Sequence, residues 1–186
     1  MPFIKTDIPD LLIYEPVVFE DHRGYFMETY NEKTFSEGGF SNRFVQDNQA
    51  RSCYGVIRGL HYQLDPHAQT KLVRVLSGAI LDVAVDIRKG SPTYGKVFSI
   101  EITADNKKQL LIPRGFAHGY SVLSQTADVL YKCDNSYQKS AEGGILYNDP
   151  FLQIDWGVPA DKHIVAEKDL ALPVFSDCLN NFTYSK

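Results

Sequence analysis

Along most of the chain, apolar and polar residues alternate with the period of two of a half-buried strand, or fall into short β-branched runs. The pattern predicts strands over Leu11–Phe19, Gly24–Tyr30, Arg43–Ser52, Val56–Gln63, Lys71–Leu76, Ala79–Ile87, Lys96–Ile102, Gln109–Ile112, Tyr120–Leu123 and Ala127–Asn135. Gly- and Pro-containing turns such as Asp21-His-Arg-Gly24, Leu76-Ser-Gly78, Lys89-Gly-Ser-Pro92 and Pro113-Arg-Gly115 separate these runs. Before the C-terminal third only Asn31–Glu37 reads as helix, with Asn31 as its N-cap. After Gly157 the pattern turns irregular, so residues 158–186 are expected to form an extension with a short helix, packed on the strands of residues 1–157. So many short strands between regular turns indicate a single all-β domain, a sandwich, jelly roll or barrel, rather than an α/β fold.

Three runs carry chemistry on one face. In Ala79–Ile87 the apolar face is Ala79, Leu81, Val83 and Val85, while Ile80, Asp82, Ala84 and Asp86 bring two carboxylates to the other. In a sandwich that second face would meet water; in a barrel it points into a polar cavity. Strict alternation in Val56–Gln63 puts Arg58, Leu60 and Tyr62 together, and Ile57, Gly59, His61 and Gln63 opposite. On the following strand Lys71, Val73 and Val75 alternate with Leu72 and Arg74. Spacing alone favours a half-buried His61 with a hydrogen-bond partner over a general base, although an imidazole titrating near neutral pH suits the second role. His118 stands just beyond the Pro113-Arg-Gly115 turn, and Tyr131 reads as a core-edge residue with a wet hydroxyl. Ala166-Glu-Lys-Asp169 reads as a solvated turn, or as the source of a carboxylate that orients a histidine.

Charge and cysteine usage restrict the partners. With 19 basic and 23 acidic side chains among 186 residues the net charge is −4, without the basic stripe of a nucleic-acid binder. The longest apolar run is Leu11-Leu-Ile-Tyr14, too short for a membrane helix, and Met1-Pro-Phe-Ile-Lys-Thr-Asp7 lacks the apolar centre of a signal peptide. The three cysteines, Cys53, Cys133 and Cys178, form no CxxC pair and are expected as reduced thiols of a cytoplasmic protein.

One ordered series of motifs spans nearly the whole chain, from Ile4 to about Pro173. It comprises Phe19-Glu-Asp-His-Arg-Gly-Tyr-Phe-Met-Glu28, Phe44-Val-Gln-Asp-Asn48, Arg58-Gly-Leu-His-Tyr-Gln63, Lys71-Leu-Val-Arg74, Asp82-Val-Ala-Val-Asp-Ile-Arg88, Ile112-Pro-Arg-Gly-Phe-Ala-His-Gly119, Leu130-Tyr-Lys132 and Glu167-Lys-Asp169. The series resembles the dTDP-4-dehydrorhamnose 3,5-epimerase family of nucleotide-sugar enzymes. That resemblance implies a cupin double-stranded β-helix, or jelly-roll barrel, in a homodimer that exchanges N-terminal strand contacts. It also implies no organic cofactor and no metal; Gln63 stands where metal-binding cupins place a second histidine.

The implied reaction is 3,5-epimerisation of dTDP-4-dehydro-6-deoxy-D-glucose, whose C4 ketone acidifies the hydrogens on C3 and C5. The resemblance makes His61 the base, balanced by Asp169, and Tyr131 the acid on the opposite face. Lys71 would sit near the C4 oxygen as the enolate forms. It assigns ligand binding to Arg23, Phe26, Glu28, Gln46, Asp47, Asn48, Arg58, Gln63, Asp82, His118, Tyr137, Glu142 and Lys168, with Arg23 and Glu28 serving the neighbouring subunit's site. The chain departs from the family at Ser136-Tyr137, where paired aromatics are frequent, which leaves Phe26 or Tyr137 to stack on the base. Two other readings share these residues: a monoepimerase acting at C3 or C5 alone, and a non-catalytic cupin that binds a sugar nucleotide.

Overall fold

The computed structural model describes residues 2–185. In chain order its strands are β1 (Phe3–Lys5), β2 (Leu12–Tyr14), β3 (Val18–Asp21), β4 (Gly24–Met27), β5 (Gln46–Cys53), β6 (Val56–Gln63), β7 (Lys71–Ser77), β8 (Ala79–Asp86), β9 (Val97–Thr103), β10 (Gln109–Ile112), β11 (Phe116–Val122), β12 (Thr126–Cys133), β13 (Glu142–Gly144) and β14 (Ile164–Val165). Two short helices, α1 (Glu32–Glu37) and α2 (Glu167–Leu170), interrupt them. One sheet runs β1-β2-β10-β7-β12-β5; the other runs β13-β6-β11-β8-β9, with β14 added to β6; β3 and β4 form a separate hairpin. This is the jelly-roll arrangement expected of a cupin.

The two sheets face each other across a shared core. Val73 and Val75 of β7, Leu110 and Ile112 of β10, and Ala127 and Val129 of β12 pack against Ile80 and Ala84 of β8 and Phe116, Tyr120 and Val122 of β11. Each fully buried Ile, Leu or Phe side chain contributes about 1.5–3 kcal/mol relative to exposure. The outer faces are covered as well. Asn31 caps α1 by accepting hydrogen bonds from the amides of Lys33 and Thr34. The cap starts a turn that drives Phe35 into an aromatic cluster with Phe3, Tyr14 and Tyr30 against Leu72 and Leu111. On the second sheet Val83 and Val85 of β8 lie under Leu152, Trp156, Phe175 and Phe182, so the apolar face of that strand is covered by the chain's last third. Asp82 and Asp86 are both fully buried on the other face, not in water.

Several elements differ from the periodicity. The predicted strand Leu11–Phe19 is two strands, β2 and β3, because Pro16 brings no N–H to a ladder. The strand predicted from Tyr120 begins at Phe116, and all seven residues of β11 are buried; with both faces covered, no alternation marks its start. Strands β1, β13 and β14 are two or three residues long, too short for a period to show.

The most consequential difference lies in β6. Its register with β11 slips between His118 and Tyr120, where Gly59 and Gly119 meet backbone to backbone. Gly59 has a φ of 128°, and a Cβ there would stand 2.5 Å from the Gly119 Cα. The extra residue reverses the alternation midway. Arg58 and His61 therefore share the inner side, and Ile57, Leu60 and Tyr62 join the outer core. Strict period-two counting had separated Arg58 from His61. No described helix is long and apolar enough to cross a membrane.

Candidate active site

A cavity of about 500 Å³ opens between the sheets. From the first sheet β5 supplies Gln46 and Asn48, β7 supplies Lys71 and β12 supplies Tyr131; from the second, β6 supplies Arg58, His61 and Gln63, and β11 supplies His118 and Tyr120. Tyr137, Glu142, Lys168 and Asp169 close the rim.

Asp169 reaches His61 because β14 lies parallel on β6, pairing Ile164 with Val56 and Val165 with Ile57. The chain then continues along β6 into α2, whose single turn buries Asp169. Its Oδ1 lies 2.8 Å from His61 Nε2, and its Oδ2 accepts a long hydrogen bond from the Gly59 amide at 3.5 Å. The His61 side chain is 37% exposed and that of Asp169 only 4%, so the imidazole faces the cavity while its partner is shielded. Burial pushes the Asp169 carboxyl up, but the His61 hydrogen bond and charge, the Gly59 amide and Lys168 outweigh it and hold the group below the ordinary carboxylate range. A second pair lies deeper. His118 Nε2 is 2.7 Å from Asp82 Oδ1, both buried, and burial lowers the His118 pKa against the pull of Asp82, with Lys71 and His61 adding repulsion.

Tyr131 and Lys71 come from the opposite sheet. Burial pushes the Tyr131 hydroxyl up to about 12, so it keeps its proton at neutral pH. The Lys71 ammonium lies 5.9 Å from the Tyr131 ring centroid, and burial lowers its pKa despite the opposing pull of Cys133 and Asp82. It forms no ion pair among the described residues, which leaves its charge available to a ligand.

The remaining residues singled out from the sequence divide into groups. Gln46, Asn48, Arg58, Tyr137, Glu142 and Lys168 line the cavity with the four reactive groups. Gln63 also lines it, but its amide anchors the loop carrying Tyr137: Nε2 donates to the His67 and Ser136 carbonyls, and Oε1 accepts from the Gln138 amide. Asp82 is not part of the wall and sits behind His118. Asp47 points outward from β5 and bonds Lys132 Nζ at 3.0 Å; strand alternation with Gln46 and Asn48 already places it on the other face. Arg23, Phe26 and Glu28 belong to the exposed β3–β4 hairpin and its exit and do not line the cavity of their own chain. Arg23 pairs there with Asp21, and Phe26 is 71% exposed.

Sequence reasoning missed Ser52 and Tyr120. Ser52 is buried on the inner face of β5 and accepts a hydrogen bond from Arg58 Nε at 3.0 Å. Its alternation with Gln46 and Asn48 was the available signal. Among the described residues no three His, Cys, Asp or Glu side chains gather as a metal-ligand set.

The chain is similar to known nucleotide-sugar epimerases. The family model described as dTDP-4-dehydrorhamnose 3,5-epimerase matches residues 5–177. A relative of that name from Shigella flexneri is 52% identical over 178 residues, 95% of this chain and 97% of its own. The solved dTDP-6-deoxy-D-glucose-3,5-epimerase from Legionella pneumophila, in complex with dTDP-4-keto-L-rhamnose, superposes with a TM-score of 0.90 at 46% identity, covering 94% of this chain and 93% of its own. A 3'-monoepimerase from Streptomyces bikiniensis, in complex with dTDP-quinovose, superposes with a TM-score of 0.85 at 30% identity, covering 92% and 86%.

Proposed function

The chain belongs to the dTDP-4-dehydrorhamnose 3,5-epimerase family, and from that premise we infer that it is an isomerase converting dTDP-4-dehydro-6-deoxy-D-glucose to dTDP-4-dehydro-L-rhamnose, with His61 as base and Tyr131 as acid. The observation that carries the assignment of roles is that the two groups come from facing sheets, on β6 and β12, across one cavity. A sugar ring held between them meets a proton acceptor on one face and a donor on the other, which is what inversion at carbon requires.

The C4 ketone makes the hydrogens on C3 and C5 removable. His61 takes one of them; the imidazolium that forms is balanced by Asp169, 2.8 Å away in a buried position where charge pairing is strong. The electron pair moves onto the C4 oxygen. Lys71 supplies positive charge there, and because that oxygen is anionic only as the proton leaves, the interaction favours the transition state over the bound ketone. Tyr131, protonated at neutral pH, then delivers its proton to the opposite face of the same carbon. Proton exchange with water resets His61 and Tyr131, and the second carbon repeats the sequence.

Arg58 and Lys168 bring positive charge to the cavity of a protein whose net charge is −4, enough to hold a diphosphate locally. Double epimerisation is the preferred reading because the similarity to 3,5-epimerases runs to 52% identity, against 30% for the monoepimerase. We read residues 1–186 as one epimerase domain in a cytoplasmic homodimer. The β3–β4 hairpin supports the dimer: it exposes Phe19, Tyr25 and Phe26 and carries Arg23 and Glu28 away from their own cavity, as residues that complete a neighbour's site would be carried. Cys53, Cys133 and Cys178 are free thiols, in keeping with a reducing compartment. Incubating the protein with dTDP-4-dehydro-6-deoxy-D-glucose and following the sugar by NMR tests the assignment: the L-rhamno product is expected, and an unchanged D-gluco sugar would overturn it.

A further inference from the structure

At Tyr137 the rim of the cavity is held by side chains, not by a ladder. Residues 136–138 belong to no strand or helix and are exposed, and Tyr137 lines the cavity while 52% exposed. A segment of this kind ordinarily bonds to water and is mobile. Here two glutamines of the cavity wall hold its backbone. Gln63 of β6, only 5% exposed, donates from Nε2 to the Ser136 carbonyl at 3.3 Å and the His67 carbonyl at 2.6 Å, and its Oε1 accepts from the Gln138 amide at 2.7 Å. Gln46 Oε1 of β5 accepts from the Tyr137 amide at 3.0 Å. The segment is thereby pinned to both sheets at once. The Tyr137 hydroxyl lies at Glu142, the neighbour of Gln63 across β13 and β6. Both amide protons of Gln63 are used within the chain, so it has no donor left for a ligand.

We propose that Gln63 is a positioning residue: together with Gln46 it holds Tyr137 as a preformed aromatic wall for the nucleotide end of the substrate, and it contributes affinity without touching the ligand. The reacting sugar lies deeper, between His61 and Tyr131, so the nucleotide passes the rim where Tyr137 stands. A free loop would have to be ordered each time a nucleotide bound, and that ordering opposes binding. The hydrogen bonds of Gln63 and Gln46 complete it in the fold. The inference rests on the reading of this cavity as a nucleotide-sugar site.

The test is dTDP binding by calorimetry, with steady-state kinetics, in the wild type, Gln63→Met, Tyr137→Ala and the double variant. Tyr137→Ala is expected to bind dTDP about tenfold more weakly, the loss of one aromatic platform. Gln63→Met keeps the length of the side chain and removes its hydrogen bonds. It is expected to bind dTDP about fivefold more weakly and to raise KM by the same factor, with kcat within about twofold of wild type because His61 and Tyr131 are untouched. In the Tyr137→Ala background the same substitution is expected to weaken binding no further, because the wall it positions is gone. Wild-type affinity in Gln63→Met, losses that add in the double variant, or a fall in kcat with KM unchanged would each overturn the proposal. Should Gln63→Met not fold, Gln46→Leu carries the same cycle: a part of its loss amounting to about threefold or more is expected to vanish in the Tyr137→Ala background, and a smaller part would overturn the proposal. Wild-type affinity in Tyr137→Ala would overturn the proposal and leave the epimerase reading standing, whereas failure of the wild type to bind dTDP would overturn that reading as well.

Discussion

Asp169 Oδ1 stands 2.8 Å from His61 Nε2 although 108 positions separate the two residues in the chain. The contact depends on the two-residue strand β14, which lays the C-terminal segment along β6 and delivers Asp169 to the imidazole. Asp169→Asn keeps the shape and removes the charge that balances the imidazolium. Its kcat is expected to fall by about 10²–10⁴-fold, the range of a general acid–base contribution, with KM little changed. Steady-state kinetics check it, and a kcat within threefold of wild type would remove Asp169 from the mechanism.

The same pair makes a prediction about acid stability. A carboxyl held below its unfolded pKa contributes stability that is fully present above that unfolded value and is lost as pH falls through the lower, folded one. For Asp169 the window therefore lies below the model-compound value of 3.8. Wild type and Asp169→Asn compared by denaturant unfolding should differ above about pH 4, and the difference should shrink on acidification below it. A difference that stayed unchanged on acidification to about pH 2 would place the linkage on another group.

Tyr131→Phe removes a proton donor whose own pKa, at about 12, lies far above the assay range. Deuterium uptake at the reacting carbons should survive, since His61 still removes and returns protons on its own face, while inversion should fall by about 10²–10⁴-fold. NMR separates exchange from inversion. Equal loss of both, or loss of neither, would contradict the assignment of the two groups to opposite faces.

Lys71 has a pKa lowered by burial and no ion pair among the described residues. A cation in that position is kept at a cost to stability. Lys71→Met should therefore leave the melting temperature unchanged or raise it, and should lower kcat by about 10²–10³-fold, the effect of removing one donor to a developing oxyanion. A variant that melted lower and retained full kcat would make Lys71 a structural residue.

Gly59→Ala tests the slip in β6. The new methyl would meet the Gly119 Cα at 2.5 Å from a backbone with φ of 128°. Strain of about 1–3 kcal/mol is expected before the clash is counted, or a drop of several degrees in Tm for a chain of this size. Activity should fall with it, because the slip holds both Arg58 and His61 toward the cavity. Unchanged Tm and activity would show that the close approach of the two strands is dispensable.

Much of this architecture was legible in the chain. The alternation in β5, β7 and β12 reports correctly which residues face inward, so Lys71, Tyr131, Gln46 and Asn48 converge as the pattern requires, and Asp47 is turned away by the same rule. Capping by Asn31 was equally direct, since an asparagine ahead of an amphipathic turn satisfies free amides locally. The rest depended on contacts that no period encodes. The bulge at Gly59 is created by a glycine on a neighbouring strand; β11 is buried on both faces and shows no alternation; and Asp169 reads as a solvated turn until β14 adds itself to β6. Tyr120 was invisible because β11 is buried on both faces, so nothing in its alternation marks which residues face the cavity.

The measurement that bears most directly on the central claim is proton NMR of dTDP-4-dehydro-6-deoxy-D-glucose in D₂O with wild-type protein and with His61→Asn, without any reductase. With wild type, deuterium should enter at both C3 and C5 together with inversion, and with His61→Asn uptake at both carbons should fall by about 10²–10⁴-fold while dTDP binding is retained. Exchange confined to one carbon would replace the double epimerase with a monoepimerase. Exchange that persisted in His61→Asn at the wild-type rate would contradict the account of this site.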